Sequence, residues 1–388
     1  MSRFFILLTG ILTLFGIIAF LTIQQNNNAE IEAQISVAEA MTNQNTEGYS
    51  RAIEQRTFRY PYDHGPHPDF RTEWWYFTGN LIAKDDEQFG FQLTIFRNSL
   101  SPNPVERESD WGTHQVYMGH FALTDVKSQR FYAFERFARG ALGLAGAKRN
   151  PLRIWIEDWY ITYEIMDEEI LDAIQLKATE NNIALELTLR NLKPIVLNGE
   201  NGLSQKGAQP GNASYYYSMT RLKCDGEIHI GDITHAVTGS AWLDREWSTS
   251  ALDQNQVGWD WFSLQLNNNV ELMYYQIRRK DGNPDPFSKG TLVDKNGKYE
   301  MISLKDVNLN VLDFWESPRG GQYPSGWKLE LPNENIALHI KPVMKNQELN
   351  VSFRYWEGAV AVDGQYKGDS VEGMGYVELT GYADKEIQ

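Results

Sequence analysis

The same run of strands is written twice in this chain, and that repetition limits the fold more than any other feature. Glu73-Trp74-Trp75-Tyr76-Phe77-Thr78 aligns with Gly258-Trp259-Asp260-Trp261-Phe262-Ser263, and each run continues to a leucine, Leu81 or Leu266. A turn follows in both copies, then a second apolar segment ending in arginine, Arg97 or Arg278. Leu123-Thr124-Asp125 with Arg130-Phe131-Tyr132 corresponds to Leu292-Val293-Asp294 with Lys298-Tyr299. At the far end of each copy, Val237-Thr238-Gly239-Ser240-Ala241-Trp242-Leu243-Asp244 corresponds to Val371-Glu372-Gly373-Met374-Gly375-Tyr376-Val377-Glu378. Trp74, Tyr76 and Thr78 share one face of a strand and Trp75 and Phe77 the other, because side chains alternate with a period of two. Two antiparallel barrels in tandem explain such a repeat. Closing a sheet removes its edges and leaves an interior able to hold one ligand.

Further short strands stand at hairpin-like spacing: Gln115–Thr124, Arg130–Phe134, Leu152–Ile156, Trp159–Met166, Ile170–Ala178, Ile183–Leu189, Tyr215–Leu222, Glu227–Ile230 and His235–Leu243. Lys84–Gln88 reads as a hairpin turn, Glu135–Ala147 as a small-residue mobile flap, and Asn198–Asn212 as a long loop. No extended run of the body has helical periodicity, so the expected class is all-β. The 388 residues divide into a hydrophobic start at 1–25, a polar tether at 26–57, and barrels at 58–250 and 251–388.

Chemistry concentrates in Gly239–Leu266, where the first barrel ends and the second begins. Trp242, Asp244 and Glu246 alternate, so they face one way, and Arg245 faces the other. A carboxylate beside indoles in a half-dry site has a raised pKa and can donate a proton near neutrality. Asp244 and Glu246, two apart on one face, would also repel each other. Asp260, between Trp259 and Trp261, would face away from both rings. The plainer reading makes the tryptophans core and pairs the acids with Arg245, Arg221 or Arg278. Arg97 and Arg278 end equivalent strands, so pairing with a carboxylate is their default. Glu73 has Gly258 at its repeat position, so the barrel itself does not require it. His120 reads as a satisfied strand histidine. Asp63, His64, His67 and Asp69 have a spacing that could hold a metal, but Pro/Gly-rich loops collect such residues and no third strong ligand is near. No metal site is assigned.

Phe4–Ile23 is apolar and about one bilayer span in length. Arg3 precedes it and no charge follows until Glu30, so the body is expected outside the cytoplasm, in the periplasm of a cell that has one. The run lacks a small-residue cleavage pattern, which favours an uncleaved anchor over a secreted form. A net charge of −15 with dispersed basic residues argues against nucleic acid as a partner. The single cysteine, Cys224, excludes an internal disulfide.

With these residues quoted, the chain resembles the lipocalin-like family that includes the AttH proteins and the carotenoid 1,2-hydratases. The matching stretches are DHGPHPDFRTEWWYFTGNL, QVYMGHFALTD, ERFARGALGLAG, TGSAWLDREWSTS and GWDWFSLQL, spread from Phe58 to Tyr382. The resemblance implies two lipocalin-like β-barrels. It also implies a choice of roles: hydration of isoprenoid or prenyl double bonds, steering of cyclisations, or an exported protein encoded with an ABC transporter. WLDREWS and GWDWFSLQL look closer to the AttH branch.

Two functions follow. An enzyme would hydrate an isolated C=C bond of an apolar, isoprenoid- or lipid-like ligand by acid catalysis, or run the reverse. Asp244 or Glu246 would be the proton donor, with Asp260 an alternative, and Trp74, Trp242, Trp247 and Trp259 would stabilise the cation. Glu73 and Tyr76 would complete the ligand site, and no cofactor is needed. A carrier would hold the same ligand, with its acids in salt bridges outside the cavity and with membrane components or a transporter as partners.

Overall fold

The computed structural model describes residues 46–103, 109–166, 170–250 and 252–383. The apolar run Phe4–Ile23 lies outside the described residues. Among the described residues no helix is long and apolar enough to cross a membrane.

The body is built from strands, with single-turn 3-10 helices between some of them. The first half contains β1 (Thr72–Ala83), β2 (Gln88–Ser99), β3 (Gln115–Asp125), β4 (Arg130–Arg139), β5 (Ala145–Arg149), β6 (Leu152–Ile156), β7 (Trp159–Met166), β8 (Ile170–Glu180), β9 (Ile183–Asn191), β10 (Val196–Leu197), β11 (Leu203–Gln205), β12 (Ala213–Ile230) and β13 (Ile233–Ser250). The second half contains β14 (Gln256–Leu266), β15 (Glu271–Arg279), β16 (Lys289–Val293), β17 (Tyr299–Ser303), β18 (Asn308–Glu316), β19 (Gln322–Leu331), β20 (Ile336–Pro342), β21 (Glu348–Leu349), β22 (Tyr355–Tyr366) and β23 (Asp369–Leu379). One sheet runs in the order β4-β3-β2-β1-β13-β12-β9-β8-β7-β6-β5, the other β17-β16-β15-β14-β23-β22-β20-β19-β18. Both are antiparallel and curled, the tandem lipocalin-like arrangement expected.

The repeat holds strand by strand. Thr78 pairs with Trp242, and its equivalent Ser263 with Tyr376. Glu73 pairs with Arg97, and Gly258 with Arg278. Alternation then sorts the side chains. Trp75, Phe77, Leu93, Phe121 and Trp159 fill the inside of the first sheet. Phe262, Leu264, Tyr274, Trp327 and Trp356 fill the second. Side chains from the opposite faces meet between the sheets, where Tyr76 and Trp242 of the first set their rings edge-on to Trp261 of the second. Each large side chain removed from water there contributes roughly 1.5–3 kcal/mol before entropy is counted.

Some local expectations are corrected. Glu135–Ala147 is mainly strand, belonging to β4 up to Arg139 and to β5 from Ala145. β3 and β6 supply the backbone partners that its small residues could not advertise. Tyr215–Leu222 and Glu227–Ile230 are one strand, carried past a bulge between Met219 and Leu222. Asn198–Asn212 includes the short strand β11. The stretch before Phe58 lies along the first sheet, with Ala52 buried and the Tyr215 hydroxyl donating to the Glu54 carbonyl at 2.7 Å.

Candidate functional site

Both interiors are packed with large side chains, and an open space lies between the sheets. A cavity of about 270 Å³ is lined by Trp74, Tyr76, Phe96 and His120 of β1–β3 and by Tyr216, Asp244 and Glu246 of β12–β13. Trp259, Trp261, Tyr275, Tyr355 and Glu378 line it from the second sheet, and Lys206 enters from the loop before β12. Ladder register explains the grouping. Tyr76 stands opposite Asp244 and Trp74 opposite Glu246, with Trp261 opposite Glu378 at the equivalent place.

Asp244 accepts hydrogen bonds from the Tyr216 hydroxyl, from Ser218 Oγ at 2.5 Å and from Trp242 Nε1 at 2.7 Å. Three donors favour the ionised form, yet loss of water outweighs them, and burial pushes the Asp244 carboxyl up to about 7. Glu246 contacts the Lys206 ammonium and accepts from the Ser214 hydroxyl. That ammonium also lies 5.4 Å from the Tyr216 ring centre, 5.5 Å from Tyr275 and 5.9 Å from Trp74. Glu378 accepts from Trp259 Nε1 at 3.0 Å. Burial, with Asp244 and Glu246 as like-charged neighbours, pushes it up to about 8. Behind Tyr76, Glu357 takes that tyrosine's hydroxyl hydrogen bond, and burial with Glu378 beside it raises its pKa well above the carboxylate range.

The sequence candidates divide. Asp244, Glu246, Trp74, Tyr76 and Trp259 line the cavity, and Trp242 stands behind Asp244 as a donor. Asp260 points away, held by Arg278 at 2.9 Å and the Tyr382 hydroxyl at 3.0 Å. Burial raises its pKa against the pull of Arg278. Glu73 is on the far face, clamped between Arg97 and Arg245 with the His67 amide at 3.0 Å. Trp247 is stacked on His67, ring centres 3.8 Å apart. Odd steps along β1, β13 and β14 place these three side chains away from the space between the sheets. His64 and His67 are buried against the first sheet: His64 Nδ1 meets the Tyr217 hydroxyl at 2.6 Å, and His67 lies between Asp63 and Glu73.

Sequence reasoning missed Glu378, Glu357, Lys206, Tyr216 and Tyr355, and read His120 as structural. The repeat contained a signal for Glu378, because it aligns with Asp244. Lys206 had none, being placed by a loop.

Two curled antiparallel sheets with an aromatic, acid-lined cavity between them define a tandem lipocalin-like protein. The chain belongs to the AttH-like family, whose model matches residues 51–382. A protein from Nitrosomonas europaea assigned as an AttH is 33% identical, with a TM-score of 0.75 over 86% of this chain and 99% of that one. Kievitone hydratase from Nectria haematococca shares the fold at 15% identity, with a TM-score of 0.64 over 86% of this chain and 98% of that one. The dehydratase asqC of Emericella nidulans is 22% identical over 282 residues, 69% of this chain and 77% of that protein.

Proposed function

We propose that the cavity between the sheets adds water to a C=C bond of an apolar, isoprenoid- or lipid-like ligand, or removes it. The observation that carries this reading is Asp244, a carboxyl kept protonated up to about 7 inside an aromatic cavity. The alkene takes the Asp244 proton, so an O–H bond breaks as a C–H bond forms. The resulting cation faces Trp74, Trp259 and Trp261, whose rings attract positive charge. Water attacks the cation and gives its proton to Glu246, the carboxylate that Lys206 contacts. The hydratase and dehydratase among the relatives make this chemistry the natural first test. The carrier alternative requires the acids to sit in salt bridges outside the cavity. Asp260 does, but Asp244 and Glu246 line it. The N-terminal run supports a body tethered outside the cytoplasm, and the AttH family supports an ABC transporter as its partner.

The test offers the purified protein a panel of prenylated compounds in oxygen-labelled water and follows label uptake by mass spectrometry. Asp244→Asn and Glu246→Gln keep shape and remove the acid or base. Each should lower turnover by roughly 10²–10⁴-fold while the protein still folds and ligand binding stays near wild type. Unchanged turnover in both would refute the assignment.

A further inference from the structure

The proposed proton donor and base, Asp244 and Glu246, both stand on β13 of the first sheet, and the second sheet holds another pair of acids. Glu357 of β22 and Glu378 of β23 are direct cross-strand partners; Glu357 is fully buried and Glu378 is half-buried at the cavity wall. Burial and the charge of each on the other raise both pKa values, that of Glu378 to about 8, so the pair keeps a proton near neutrality. Tyr76 donates to Glu357 Oε1, while Oε2 is buried without a well-aligned partner. The Tyr355 hydroxyl lies against this carboxyl. Tyr355 also meets His120 Nδ1 at 2.7 Å, and His120 Nε2 meets Glu135 Oε1 at 3.0 Å. Glu135 reaches the protein surface, with 13% of its side chain exposed, and accepts from Ser352. Burial works against its charge, yet hydrogen bonds from His120 and Ser352 hold its pKa below the ordinary value.

These contacts form one line across the two sheets: Glu357, Tyr355, His120, Glu135. We propose that this line is a proton port that loads and unloads the Glu357–Glu378 pair from solvent, making the pair a second proton-transfer centre facing Asp244. The outward step moves no atom but hydrogen. The Glu357 carboxyl proton passes to the Tyr355 oxygen, the Tyr355 proton to His120 Nδ1, and the His120 Nε2 proton to Glu135, which releases it to water. Glu357 ends ionised, His120 ends as the other neutral tautomer, and the reverse shift restores the start. A centre loaded this way answers to outside pH by a route separate from the cavity. The groups facing it are Asp244 and Glu246 of β13, Lys206 of the loop, Tyr76 of β1, and Tyr355 and Tyr376. Its use in turnover rests on the hydration reading; its existence as a port does not.

The test needs no substrate. The full-length protein is given a rapid pH jump, and the infrared C=O stretch of buried protonated carboxyl is followed in time. Glu357→Gln should remove much of that band, which assigns it. His120→Phe should keep the band but slow its response roughly ten-fold or more, and Glu135→Gln, at the surface end, should slow it in the same way. Thermal melts identify any variant that fails to fold; if His120→Phe does, Glu135→Gln decides. A band unaffected by Glu357→Gln overturns the centre. A response unchanged in the folded port variants overturns the port, because the proton then enters through the cavity. Neither result touches the hydration reading, which the labelled-water experiment decides separately.

Discussion

Asp244 shows how position, more than residue type, creates an acid. Its ordinary pKa is 3.8, and burial lifts it to about 7 despite three hydrogen-bond donors. Between those values the folded protein keeps a proton that the unfolded chain has released, so stability falls as pH rises across that window. The loss is complete above about 7. Asp244→Asn removes this contribution, so the variant should gain melting temperature relative to wild type as pH rises from 4 to 8 (roughly). Melting curves across that range check it. Glu378 adds a slope of the same sign up to about 8, so the variant flattens the dependence without abolishing it. A parallel pH dependence in variant and wild type would mean Asp244 is ionised in the fold.

At the scale of the element, β1 and β14 begin alike and solve the same problem differently. Glu73 stands opposite Arg97 on the neighbouring strand and also meets Arg245, all three side chains fully buried. Its equivalent, Gly258, has no room for a side chain, since a Cβ there would lie 2.4 Å from the Thr380 carbonyl oxygen. Arg278 therefore takes its carboxylate from Asp260. The acid that looked dispensable to a barrel is thus an ion-pair partner in the first copy. Glu73→Gln leaves two buried guanidinium groups undercompensated and should cost about 3–5 kcal/mol, read by denaturant unfolding. A stable variant with lost turnover would instead place Glu73 in the reaction.

For the whole molecule, the site exists because two similar sheets turn corresponding faces toward each other. Asn80 Nδ2 reaches the Gly375 carbonyl at 3.0 Å and Gln265 Nε2 the Thr220 carbonyl at 2.7 Å, tying one sheet to the other. Neither sheet alone holds Asp244, Glu378 and the indoles around them. The tether belongs to this scale too. A reporter active only in the cytoplasm, joined after Gln388, should stay silent if Phe4–Ile23 anchors the body outside. Strong signal would reverse that topology.

The repeat and its period-two alternation were enough to establish the class, the tandem arrangement and the shared face of Trp242, Asp244 and Glu246. Those features are local or self-referential, so they are readable along one chain. The same alternation correctly turned Arg245 away from that face and Asp260 away from Trp259 and Trp261, although Asp260 still stood among the candidate proton donors. Sequence could not show that the barrels would be filled and the cavity left between them, because that depends on how two curled sheets pack. Nor could it bring Lys206 to Glu246, 40 residues away in the chain, or His120 to Tyr355, 235 away. Those contacts are long-range, and only the packing of one sheet on the other, with the loop that crosses them, decides which polar groups share a dry space.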